Sequence, residues 1–174
     1  EKVVIGTIPY EMRGFIGYRN FFLQTQEGEP LAIANSIWSL INIDSGLPER
    51  ISEEILDAYP IFEKLSMDYQ PRKIPFPKEG INVERQKIKV IEDYLDTNRH
   101  VNNEQYIRMA MNCLPDRNAN IYQLRAEYKQ QARLGDIICP LLNTKQTQEG
   151  RTVYTVALNT TEKAAYCTVE LTLA

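Results

Sequence analysis

Histidine is nearly absent from this 174-residue chain: His100 is the only one, as Trp38 is the only tryptophan. Any proton transfer by an imidazole therefore has a single address. Cysteine is also scarce. Cys113, Cys139 and Cys167 are odd in number and widely spaced, which argues against a disulfide framework and against a zinc site. Their expected role is that of small apolar residues kept reduced, which points to a cytoplasmic setting. No metal and no cofactor are expected. No basic run stands out and the net charge is -3, so nucleic acid is not an expected partner. The longest apolar runs fall far short of the roughly 20 residues that a membrane-spanning helix needs. No signal-peptide pattern opens the chain at Glu1, and a first residue other than Met fits a processed or trimmed start. What is abundant is ordinary: 43% hydrophobic and 25% charged residues describe a globular protein of one domain or two small ones.

Alternation organises the first third. Residues 3–9, 15–26 and 31–43 read as strands of an antiparallel unit, with a turn at Glu27-Gly28-Glu29-Pro30 and a long third strand expected to be buried on both faces near its middle. Three bare strands have a face to hide, and no covering helix is visible in this stretch. Ser52 ahead of Glu53 and Glu54 opens a short helix that must end before Pro60. Pro71, Pro75, Pro77 and Gly80 make residues 69–80 a solvated linker between a first part, 1–68, and a second, 81–174.

The second part runs differently. Residues 83–93 are strand-like. A polar stretch follows, Asp96-Thr97-Asn98-Arg99-His100-Val101-Asn102-Asn103, and then a helical segment from Gln105 to Leu114 that is apolar on all but one narrow face. Pro115 ends it. Four strands close the chain, 122–129, 137–147, 153–158 and 165–173. In the last, Ala165, Cys167, Val169, Leu171 and Leu173 should face in, and Tyr166, Thr168, Glu170 and Thr172 out. Strand, polar loop, buried helix and four antiparallel strands define the hotdog architecture, an α+β fold. The first part reads as the sheet half of a second copy, because each part has a hairpin turn leading into a long β stretch.

The chemistry gathers at the polar loop. A helix N-terminus offers free N–H groups and a favourable dipole to a carbonyl oxygen that becomes negative during attack. An imidazole suits the general base near neutral pH, an Asp can hold water or attack, and an Asn can orient the acyl group. In extended backbone Asp96, Asn98 and His100, at i, i+2 and i+4, would share one side. Asn102 or Asn103 is a good helix N-cap.

The run from Asp96 to Ile107, with its Asp-x-Asn-x-His-Val-Asn-Asn-x-x-Tyr pattern, resembles the signature of the acyl-acyl carrier protein thioesterases. Glu127-Tyr128-Lys129-Gln130-Gln131-Ala132 is similar to that family's Glu-Tyr-Arg-Arg-Glu-Cys segment. Ser36-Ile37-Trp38-Ser39-Leu40-Ile41 resembles its Trp-bearing strand. The resemblance implies a tandem (double) hotdog whose first repeat is truncated at its N-terminus, with the acyl pocket shaped largely by the first repeat and the catalytic residues in the second. It implies hydrolysis of a fatty acyl-acyl carrier protein to free fatty acid without a metal. Asp96, Asn98 and His100 are then the catalytic set, with Gln131 as a water holder; Asn102, Asn103, Tyr106 and Trp38 are substrate-binding. The acidic carrier would dock on basic residues, for which Arg72, Lys73, Lys78 and Arg99 are candidates. A homodimer of tandem chains is compatible with this architecture. The family's Glu-Cys pair is Gln131-Ala132 here, so a mechanism through cysteine at that position is closed. Two alternatives stay open, an acyl-CoA thioesterase and a non-hydrolytic acyl-binding module.

Overall fold

The computed structural model describes residues 2–116 and 118–174. It divides into two compact units, Glu1–Gln70 and Pro71–Ala174.

The first unit is an antiparallel meander of β1 (Val3–Arg13), β2 (Ile16–Thr25) and β3 (Pro30–Ser39), joined in that order. The third strand stops at Ser39, short of the expected 43, and holds no buried residue. It is an edge strand, so one side of its backbone meets no neighbour and its middle cannot be enclosed. Helix α1 (Glu53–Ala58) starts where Ser52 accepts a bond from the Ile55 N–H, and it buries nothing. Among the described residues of this unit only Pro9 and Asn20 are fully enclosed. The centre is polar: the Asn20 carbonyl oxygen accepts from the Leu65 N–H and the Tyr69 hydroxyl, both at 3.0 Å. A cavity of about 510 Å³ opens beside Trp38, lined also by Pro9, Phe21, Leu40, Ile55 and Tyr59.

The second unit has a real core. Strands β4 (Ile81–Glu84), β7 (Ile137–Gln146), β8 (Thr152–Asn159), β9 (Ala165–Leu173) and β6 (Ile121–Tyr128) lie side by side in that order, and β5 (Ile88–Lys89) also pairs with β7. All pairings are antiparallel. Helix α2 (Asn103–Asn112) lies against β8 and β9. Tyr106, Met109 and Ala110 join Leu142, Val156, Leu158, Cys167, Val169 and Leu171 in one buried cluster. This is the helix-on-antiparallel-sheet arrangement of a hotdog.

Two expectations are corrected here. The strand read over 83–93 is broken into β4, β5 and a 3-10 turn at Glu92–Tyr94. Pro140 sits opposite the break. Its nitrogen carries no proton, so the ladder passes from Glu84↔Leu141 to Ile88↔Ile138 with one extra residue on the β4–β5 side, and Arg85 donates to the Pro140 carbonyl.

Second, Tyr166 and Thr168 of β9 were expected to face solvent and are buried. At Tyr166 the reason is a bulge: Leu158 pairs with Cys167 and Asn159 with Ala165, so Tyr166 is the extra residue and its ring joins the buried cluster. At Thr168 the reason is the proline-rich stretch. It does not run free: Ile74 is buried, its N–H donates to Glu127 on β6, Arg125 donates to the Pro71 carbonyl, and the Glu79 carbonyl accepts from Asn143 on β7. With β9 and β8 lying between those anchors, Pro71–Gly80 straps the outer face of the sheet. Beneath it Arg125, Glu170, Thr155, Asn143 and Asn82 form one cross-strand polar row. Its ends are closed by an Arg125–Glu170 ion pair and by a bond from Asn143 to Asn82. Gly80 finishes the strap with φ at +98°, where a Cβ would lie 2.5 Å from the Thr144 carbonyl oxygen.

Candidate active site

The polar stretch is a closed turn rather than the extended segment expected. A bridge between Leu95 and Val101 frames it. Inside, the Asp96 N–H donates to the His100 carbonyl at 2.8 Å and the Arg99 N–H donates to the Asp96 carbonyl at 3.0 Å. The Asp96 Oδ1 accepts from the N–H groups of Asn98 and His100, at 2.8 and 3.2 Å. An Asp side chain that bonds backbone two residues on competes with the strand ladder and bends the chain. Alternation along a strand therefore does not relate Asp96, Asn98 and His100; the turn does, by bringing the backbone of Asn98 and His100 to the Asp96 carboxylate. Asn98 is exposed and His100 is half-buried. Arg99 takes the left-handed conformation at φ 61°, and its guanidinium forms a two-pronged ion pair with Glu92, which raises its pKa further. Its charge is thus already matched, unlike that of a free docking residue.

The turn leads directly into α2. Asn102 is the N-cap, and its side chain accepts from the Glu104 N–H at 2.9 Å. The Gln105 N–H turns back to the Asn102 carbonyl. Asn103, the first helical residue, is left with an N–H that has no protein acceptor among the described residues. One donor thus stands free at the positive end of the helix dipole.

Opposite the turn runs the segment after β6. His100 bridges to Arg133, and the Val101 N–H donates to the Ala132 carbonyl at 2.9 Å. Gln131 is exposed beside a fully buried Ala132. The Tyr106 side chain is buried, and its hydroxyl accepts from the Ala132 N–H at 2.9 Å. Burial raises the pKa of that phenol, which stays protonated near neutral pH. Thiols are present but not activated: burial pushes Cys167 up to about 12 and raises Cys113 as well. Neither supplies a thiolate.

Trp38 belongs to the first unit, where its indole N–H donates to Ser36 at 2.7 Å and its ring is largely exposed at the cavity. Three residues around the turn escaped sequence reasoning. Tyr128 donates to the Asn103 carbonyl at 3.2 Å and stacks edge-on to Tyr106. Asp136 accepts from the Arg133 N–H and from the Tyr166 hydroxyl. In sequence, Gly135-Asp136 reads only as a turn, and Tyr166 only as an outward strand position.

Residues 78–172 match the model of the acyl-ACP thioesterase C-terminal domain, and residues 1–59 that of the acyl-ACP thioesterase N-terminal domain. The chain belongs to the acyl-ACP thioesterase family. Among its relatives is the oleoyl-acyl carrier protein thioesterase 2 of Arabidopsis thaliana chloroplasts, 27% identical over 158 residues that cover 80% of this chain and 41% of the relative. The chloroplast oleoyl-acyl carrier protein thioesterase of Coriandrum sativum is 26% identical over 157 residues, 80% of this chain and 40% of that one. The chain thus spans about two fifths of the length of these relatives. Two solved acyl-ACP thioesterase structures share the fold. The Bacteroides thetaiotaomicron protein has a TM-score of 0.78 at 18% identity, covering 99% of this chain and 68% of that one. The 12:0-ACP thioesterase of Umbellularia californica also has a TM-score of 0.78, at 17% identity, over 99% and 66%.

Proposed function

We propose that this protein hydrolyses the thioester of a fatty acyl-acyl carrier protein and releases the free fatty acid. One observation carries the reading: the Asp96–His100 turn opens directly onto the N-terminus of α2, where the Asn103 N–H lacks a protein acceptor. His100 takes a proton from water, whose oxygen attacks the carbonyl carbon. The carbonyl oxygen gains charge beside the Asn103 N–H and the helix dipole. The carbon–sulfur bond then breaks, and the imidazolium returns its proton to the departing thiolate. Asp96 keeps the turn closed, Asn98 orients the acyl group, and the Gln131 amide holds water without accepting a proton. Asn102 and Asn103 line the reacting end with Tyr106 held behind them, and Trp38 in the first unit is a further substrate-binding residue. The wider reading is a tandem hotdog in a reducing, cytoplasmic compartment, where the three cysteines stay free.

Free-thiol release from a long-chain acyl-acyl carrier protein tests this. The expected result is turnover that His100→Ala abolishes, faster on the carrier than on the matched acyl-CoA. A second reading is favoured by Gln131, an amide where the family pattern has a carboxylate: a hotdog module that binds acyl thioesters without cleaving them. Tight binding with no thiol release would establish that reading and sink the first.

A further inference from the structure

We infer that Tyr106, Asp136 and Tyr166 are positioning residues that clamp the Gln131–Arg133 segment and, through it, hold His100 in register at the head of α2. The inference rests on the hydrolase reading for its kinetic consequence and on geometry for everything else. The segment between β6 and β7 belongs to no strand, yet the N–H groups of Lys129, Gln130, Ala132 and Arg133 are each placed. Lys129 and Gln130 both donate to the Tyr166 carbonyl, at 2.8 and 3.2 Å. Ala132 donates to the Tyr106 hydroxyl and Arg133 to the Asp136 Oδ2, each at 2.9 Å. The same Oδ2 accepts from the Tyr166 hydroxyl at 3.0 Å. Gln131 is thereby fixed on both sides. His100 and Val101 are the ladder partners of Arg133 and Ala132, so whatever fixes that segment also fixes the backbone that carries the imidazole.

Chemistry explains why Tyr106 is not Phe. Ala132 is fully enclosed, and a buried N–H without an acceptor is costly. No strand neighbour reaches it, and a hydroxyl from the first turn of α2 does. The same helix that presents the Asn103 N–H therefore also grips the Gln131 segment. The groups assigned to attack, proton transfer and charge stabilisation are referred to one rigid element, which is what a reaction sensitive to sub-ångström placement requires.

The experiment uses the full-length protein. Tyr106→Phe keeps the ring and removes the acceptor. We expect kcat to fall at least about tenfold with KM within about twofold. The His100 imidazole resonance, identified by its loss in His100→Ala, should change its chemical shift at fixed pH. Tyr166→Phe should move both readouts in the same direction by less, and it decides the matter if Tyr106→Phe does not fold. Thr155→Val, at a buried unpartnered hydroxyl on the outer face of the same sheet, is the matched control and should move neither. Wild-type kcat and an unmoved imidazole resonance in the folded tyrosine variants would overturn the clamp, leaving the hydroxyls as structural bonds only. If the wild type releases no thiol, the hydrolase reading fails, and the imidazole resonance alone still decides the clamp.

Discussion

The two units use the same sheet grammar and reach opposite interiors. In the second, every strand of the sheet but the edges finds apolar partners, because α2 lies on one face and the Pro71–Gly80 strap covers the other. In the first, three longer strands enclose Pro9 and one asparagine, and Ile5, Leu31, Ile33 and Trp38 remain largely exposed. Strand length and alternation are thus not what build a core. A covering element is, and only the second unit has one of sufficient length: α1 spans six residues and buries none, α2 spans ten and buries Tyr106, Met109 and Ala110. The same contrast separates the proposed reacting site, at the end of the covered helix, from the apolar cavity of the first unit.

The sharpest way to break this contrast is kinetic. His100→Ala should lower thiol release by roughly 10²–10⁴-fold, the range for loss of a general base. Trp38→Ala should leave kcat within a few-fold and instead change KM and chain-length preference. Equal losses in both would dissolve the division of labour. Next comes packing. Leu171→Ala, at a fully buried position, should cost about 2–5 kcal/mol in urea unfolding. Leu31→Ala on the edge strand of the first unit should stay within about 0.5 kcal/mol. The first unit's own weak point is polar: Asn20→Ala leaves the Leu65 N–H without its acceptor, while the Tyr69 hydroxyl keeps the Leu65 carbonyl, and should cost about 1–3 kcal/mol. Trp38 fluorescence would report the loss.

The smallest effect is on alkaline stability. Burial lifts the Cys167 thiol and the Tyr128 and Tyr166 hydroxyls to about 12, from ordinary values of 9.0 and 10.0. Above pH 9 the unfolded chain begins to lose these protons while the folded second unit still holds them. The unfolded state then binds fewer protons, so stability is fully present below pH 9 and declines as pH rises toward about 12. Cys167→Ala should flatten the early part of that decline in a pH series of urea melts.

Much of this was legible in the sequence, for identifiable reasons. The last four strands and α2 follow their hydrophobic periods because the core they face is real, and Asn102 caps where its side-chain chemistry places it. The motif was legible as residue types in a fixed spacing. Three things were not. The Pro140 defect is a property of the strand opposite, so nothing in 83–93 announces the break. The backbone of Asp96–His100 is decided by one carboxylate choosing two N–H groups over solvent, a choice that periodicity does not register. The burial of Thr168 depends on a strap that is distant in sequence and, with its three prolines and glycine, reads as free chain, and that of Tyr166 on a bulge in the β8–β9 pairing.

That strap also decides where the second unit begins. A gene fragment starting at Ile81, the first strand residue, would look natural and would discard residues 71–80. Asn143 would lose the Glu79 carbonyl, and Glu127 the Ile74 N–H, while Thr155 and Thr168 would be opened to water. Amide exchange along β8 and β9 should then quicken from the outer face inward. A fragment starting at Pro71 keeps the lining in place, and slow amide exchange along β8 and β9 is the outcome expected of it.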